Sequence, residues 1–248
     1  MDGLNRRDVL RLAAGGGLVA SVSSAWWFDS AADAFAGEVR AFPAPVPAGT
    51  VGYSYFTPAE AAWVDAAVAR LIPEDASGPG AVQAGVTFFI DQQLGGPYGK
   101  AVNWYMRGPF GKGTEEQGYQ LERNPAQLYR AAIAAIDAHC GAQFGGKTFR
   151  QIAPADQDEL LHALEKDKLK LPGVSGKAFF TMLWDNTKEG FFADPMYGGN
   201  RNFIGWRLVG FPGPRYNYVS EIRHFGQPYT MPTVGLLGRD PSRRLAAT

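Results

Sequence analysis

The sequence predicts an all-α protein: a single irregular helical domain with long Gly-, Pro- and aromatic-rich loops, preceded by an extended N-terminal arm. Helix-start signals recur along the chain, and the apolar residues after them fall at three- and four-residue spacings. Alternating strand patterns are almost absent. Gly 31 and Pro 17 among 248 residues require many turns and ordered loops between those helices. A hydrophobic content of 46% is enough to bury one sizeable core. Lys and Arg balance Asp and Glu at 24 against 24, which removes the electrostatic footprint expected of a nucleic-acid binder.

The chain divides into residues 1–36, 37–56 and 57–248. In the first part Arg6-Arg7 precedes an uncharged, moderately apolar run from Leu12 to Phe28, and Ala34-Phe35-Ala36 supplies a small-residue cleavage site. This order is that of an export signal, and the arginine pair points to the twin-arginine route. That route carries folded proteins, so the chain either holds a cofactor or travels with a partner that does. Residues 37–56 begin with the Pro- and Ala-rich run GEVRAFPAPVPAGTV and read as an extended arm.

From residue 57 the elements come in order. Thr57-Pro58-Ala59-Glu60 is a capping box with proline at the first helical position, and Ala61, Val64, Val68 and Leu71 form the buried stripe of a helix that stops near Pro73. Residues 81–94 predict a second helix, although its TFFI centre also fits a short strand. Residues 95–118 form a long Gly-rich aromatic loop of the kind that binds something or packs on a partner. Asn124-Pro125 starts a helix that runs to about Phe144, and Pro154 starts another with Leu160, Leu161, Leu164 and Leu169 inward. Gly176 opens a helix with Phe179, Phe180 and Leu183 spaced for burial; beyond it the chain reads as loop.

Most cofactor chemistries lack their residues. One cysteine, Cys140, excludes a Cys-x-x-Cys-His haem site, iron–sulfur clusters and thiolate zinc. Glu159 and His162 have the Glu-x-x-His spacing of helical di-metal sites, but only one such motif is present. Neither G-x-G-x-x-G after a strand nor a phosphate-binding G-x-x-x-x-G-K-[ST] occurs. Cys140 sits late in a helix among Ala and Ile, which suits a buried inert thiol; as the odd cysteine of an exported chain it also suits an intersubunit disulfide, and a nucleophile is the third reading.

The stretch most like a site is DPMYGGNRNFIGW, residues 194–206. Its glycines fit tight reversals, Arg201 and Trp206 are common interface anchors, and Asp194, Tyr197 and Arg201 are the side chains a stand-alone exported enzyme would use. Three readings stay open: an ordered scaffold, a partner contact involving Tyr98, Trp104, Tyr105, Asp194, Tyr197, Asn200, Arg201 and Trp206, and catalysis. A monomeric periplasmic protein that binds a small ligand is a further alternative.

EGFFADPMYGGNRNFIGWRLVGFPGPRYNY, with FFI at 88–90, GGPYG at 95–99 and QGYQL at 117–121, resembles the gluconate 2-dehydrogenase subunit 3 family over roughly Thr57 to Pro228. These are the small (gamma) subunits of membrane-bound flavin-dependent sugar and polyol dehydrogenases. The resemblance implies a non-catalytic chain without its own cofactor. It implies two partners, a large subunit that holds FAD and a multihaem cytochrome c subunit that takes the electrons and anchors the complex. The small subunit would supply the twin-arginine signal and escort the large one to the periplasm through the translocation machinery. Arg6 and Arg7 match the signal, while Val9 stands where such signals prefer phenylalanine.

Overall fold

The computed structural model describes residues 52–111 and 113–237. The expected export signal (Arg6, Arg7), its cleavage site (Ala34, Ala36) and most of the extended arm lie outside the described residues. Within them are six α-helices and no strand: α1 (Pro58–Leu71), α2 (Val86–Gly95), α3 (Pro125–Gln143), α4 (Pro154–Glu165), α5 (Gly176–Phe192) and α6 (Ile204–Val209). The all-α expectation holds.

Local chemistry sets several helix starts. Thr57 caps α1 through a full capping box, with Glu60 N–H donating to Thr57 Oγ1 at 3.3 Å and Thr57 N–H to Glu60 Oε2 at 2.8 Å. Asn124 and Gln127 do the same for α3 at 2.9 and 3.0 Å. Ser175 Oγ accepts from Ala178 N–H at the start of α5, and α1, α3 and α4 each have proline in the first turn.

Helix α2 starts at Val86, five residues later than the apolar run suggests. Gly85 has a left-handed φ of 76°, which breaks the helical path. The carbonyl of Ala84 accepts instead from Arg201 N–H at 3.0 Å, a contact from a distant part of the chain. The TFFI segment is helical, not a strand. Helix α4 ends at Glu165 rather than near Leu169, because Asp167 turns left-handed at φ 52°. Leu169 is nonetheless packed on the core.

Helix α5 is the centre of the domain and packs on α1, α2, α3, α4 and α6. Its Phe179 meets Tyr129 of α3 edge-on at 5.3 Å and Trp63 of α1 at 5.8 Å; Trp63 in turn meets Phe149 at 4.7 Å. All four rings are almost without exposed surface, so their burial supplies a large share of the apolar stabilisation. One polar chain crosses this core: Tyr98 Oη donates to Asn186 Oδ1 (3.1 Å), and Asn186 Nδ2 donates to Tyr129 Oη (3.0 Å). Arg70 of α1 grips Asp158 of α4 through two bonds of 2.7 and 2.6 Å.

The end of the arm is tied to α2 by a buried carboxylate. Asp91 accepts the backbone N–H of Ser54 (2.7 Å), Tyr55 (2.9 Å) and Phe56 (2.8 Å), plus Ser54 Oγ (2.9 Å) and Gln92 Nε2 (3.0 Å). Tyr55 Oη donates to the carbonyl of Ala126, and the guanidinium of Arg130 covers its ring at 4.5 Å. Five donors converge on one side chain, so Asp91→Ala should lower stability by about 3 kcal/mol or more. Asp91→Asn, which keeps an acceptor, should recover part of that loss. Urea denaturation of the two variants checks both expectations.

Candidate functional site

The stretch 194–206 is folded against the C-terminal end of α5. The last four carbonyls of a helix lack partners within it. Here Ala193 N–H closes on the Glu189 carbonyl at 2.7 Å in the ordinary way. Asn200 N–H then donates to the Gly190 carbonyl (2.8 Å), Asn200 Nδ2 to that of Ala193 (2.8 Å) and Trp206 Nε1 to that of Phe192 (2.7 Å). Gly205 N–H returns a bond to Asn200 Oδ1 at 2.8 Å. The segment is therefore a side-chain cap for the central helix, a latch held by Asn200 and Trp206.

The glycines permit the close approach. A Cβ at Gly199 would lie 2.1 Å from the Gly190 carbonyl oxygen, and one at Gly205 would lie 2.0 Å from that of Phe191. Asn200, Asn202 and Phe203 all have left-handed φ, at 44°, 56° and 58°. Asparagine tolerates that region; for phenylalanine it is costly. Phe203 is held there by burial and by stacking on Trp206 at 5.4 Å. The segment after α5, expected to be loop, thus contains two tight turns and helix α6.

The side chains expected of a stand-alone enzyme work separately. Asp194 caps the Pro195–Tyr197 turn by accepting Met196 N–H (3.0 Å), and it takes Leu236 N–H at 2.7 Å on its second oxygen. Tyr197 faces outward. Arg201 lies against α2, its guanidinium 5.3 Å from the Phe88 ring centre. Among the partner contacts expected from sequence, Asn200 and Trp206 are buried in the latch, which removes them from any outer surface. Tyr98, Trp104 and Tyr119 form a ring column, with centroids 5.7 and 5.1 Å apart, that folds the 95–118 loop onto the core. Tyr105, 83% exposed, points away from it.

A second polar group is invisible in the sequence because its members are far apart along the chain. Arg201 is half-buried near Asp65 and Tyr53. Burial lowers the Arg201 pKa, while Tyr53 and Asp65 counteract that effect. Burial also raises the Asp65 carboxyl, opposed by its bond from Thr87 Oγ1 at 2.5 Å and by Arg201. This group joins α1, α2 and the latch. Among the described residues no three His, Cys, Asp or Glu side chains converge on a metal-sized space. His162 pairs with Glu165 at 3.2 Å and His224 with Glu221 at 3.3 Å. Among those residues, too, no helix is long and apolar enough to cross a membrane.

Of the readings for Cys140, the structure has the buried thiol. The residue has no exposed surface, so a bridge to another chain would require α3 to leave the core. Burial, reinforced by nearby Asp137, pushes the thiol up to about 11.

This geometry has two measurable outcomes. Asn200→Ala removes two buried hydrogen bonds and a residue suited to its backbone conformation; it should cost about 2–4 kcal/mol in a urea melt. The raised thiol pKa means that the folded state keeps a proton the unfolded state releases. That contribution to stability is fully present below about pH 8.5 and lost as pH rises through about 11. Cys140 should accordingly resist a thiol reagent such as Ellman's at pH 8 until denaturant opens the fold.

Comparison with curated proteins and with solved structures yields no match. A family model described as Gluconate 2-dehydrogenase subunit 3 matches residues 58–213, more than half of the chain, from the first turn of α1 through the latch and α6. The chain belongs to the gluconate 2-dehydrogenase subunit 3 family.

Proposed function

We propose that this chain is the non-catalytic small subunit of a periplasmic flavin-dependent sugar, sugar-acid or polyol dehydrogenase. It supplies the twin-arginine signal and acts as escort, maturation factor and structural support for an FAD-binding large subunit. A multihaem cytochrome c subunit completes a heterotrimer associated with the membrane through that third chain. The family match carries this reading, since a subunit 3 presupposes other subunits. The geometry supports it: Asp194 and Asn200 are spent on backbone groups, and Arg201 lies against α2. No acid–base pair is left aimed at a shared reacting position in the latch. A folded chain with its polar groups used internally has reason to take a route for folded cargo when its partner carries the cofactor.

The test is export of the partner. With Arg6→Lys and Arg7→Lys together, dehydrogenase activity should remain in the cytoplasmic fraction while the small subunit still folds. Wild-type levels of activity in the periplasm of that strain would refute the escort role. The purified chain should also lack flavin absorbance.

A further inference from the structure

In the latch Asp194, Asn200 and Trp206 are spent on backbone groups, but the charged head of Arg201 is not. It lies on one side of α2, where two other distant segments meet it. Thr87 and Asp91 are four residues apart and share a face of that helix. Thr87 Oγ1 donates to Asp65 Oδ1 at 2.5 Å, which fixes the α1 carboxylate beside this face. Asp91 takes the Ser54 N–H at 2.7 Å, which leads Tyr53 to the same side. Gly85 makes room for Arg201, whose Nε would lie 2.4 Å from a Cβ there, and the guanidinium sits 5.3 Å from the Phe88 ring centre.

None of the three groups is used up. Among the described residues the Arg201 guanidinium has no hydrogen bond and no ion pair, and Tyr53 Oη has no hydrogen bond. Asp65 keeps Oδ2 after Oδ1 accepts from Thr87. The groups do feel one another: burial disfavours the charge on Arg201, and Tyr53 and Asp65 oppose that effect. Arg201 and Asp65 are both half-buried. Two opposite charges are thus drawn partly out of water without the contact that would offset the loss. Charges held at such a cost are the pattern of a functional site.

We propose that Arg201 and Asp65 bind the zwitterionic head of a free apolar α-amino acid, its carboxylate on the Arg201 guanidinium and its ammonium on Asp65 Oδ2. Charge complementarity selects this class. A simple anion would satisfy Arg201 but bring a second negative charge to Asp65, and a simple cation would do the reverse. A hydroxy acid reaches both side chains and leaves the charge of Asp65 without a counterpart. A zwitterion neutralises both, and a carboxylate on a guanidinium can form two parallel bonds. The Tyr53 hydroxyl is a further donor for that carboxylate. The rings of Tyr53 and Phe88 beside the charges suit an apolar side chain on the ligand. The site belongs to this chain alone and does not depend on the small-subunit reading.

The experiment is isothermal titration of the full-length chain with L-alanine and L-phenylalanine. L-lactate and L-phenyllactate, which carry a hydroxyl in place of the ammonium, are titrated beside them. At least one amino acid should bind saturably at one site, roughly tenfold or more tighter than its hydroxy analogue, the scale of one charge-assisted bond. This comparison needs only the wild-type chain. Asp65→Asn keeps an acceptor for Thr87 and removes the charge. It should weaken the amino acid by roughly tenfold or more and leave the hydroxy acid unchanged or tighter. Its melting temperature should not fall, because burial disfavours the charge on Asp65 in the folded state. The inference is overturned if neither amino acid binds, or if the hydroxy analogue binds as tightly. It is likewise overturned if Asp65→Asn, folded, binds the amino acid like wild type.

Discussion

A central helix that ends inside a protein must have its last carbonyls satisfied there, and most of this fold is arranged around that requirement at α5. The helix touches every other helix, so its C-terminus cannot fray into solvent without loosening the core. Asn200 and Trp206 provide three donors to the end of the helix, and Gly199 and Gly205 allow the backbone close enough for the bonds to form. The left-handed turns at 200, 202 and 203 are the conformational cost of bringing those donors into position. Burial of Phe203 and Trp206 offsets it.

The same constraint reaches further through Arg201. Its N–H takes the Ala84 carbonyl that a longer α2 would have used, and its side chain occupies the space that any Cβ at position 85 would need. The latch thereby fixes where α2 begins. Asp91 on α2 then holds the end of the arm. The order of dependence runs from α5 to the latch, from the latch to α2, and from α2 to the segment that leads back toward the N-terminus. In each case a polar group near α2 or α5 finds its partner far away in sequence, and this keeps an irregular, glycine-rich chain in one arrangement.

That pattern explains what is legible in the sequence. Helices α1 and α3 are readable at their starts because Thr57–Glu60 and Asn124–Gln127 are local reciprocal caps. Their buried faces can be read from spacing alone. The start of α2 differs from its sequence expectation, since Gly85 owes its role to Arg201, more than a hundred residues away. Helix α6 escapes a sequence reading because Ile204–Val209 is too short to show periodicity. The 194–206 stretch does stand out, but its acid, amides and indole resemble a site when they are the donors and acceptors of a helix cap. Residue types do not distinguish the two uses. Only the direction of each bond does, and Asn200 and Trp206 point into the protein.

The polar side chains of the latch are assigned to the fold, and several apolar ones elsewhere are left in water. Tyr105, Tyr197 and Phe225 expose rings, while Asp91, Asn186 and Asn200 are buried and hydrogen-bonded. A catalytic chain would keep polar groups poised at a cleft. A supporting subunit gains more from rigid apolar anchors, because association is opposed by the entropy of ordering whatever makes contact. The segment after α6 has already lost much of that freedom: Arg215, Tyr218 and Val234 tie its two limbs together within this chain alone. Its exposed rings, Tyr216 and Phe225, are therefore held in place by this chain itself.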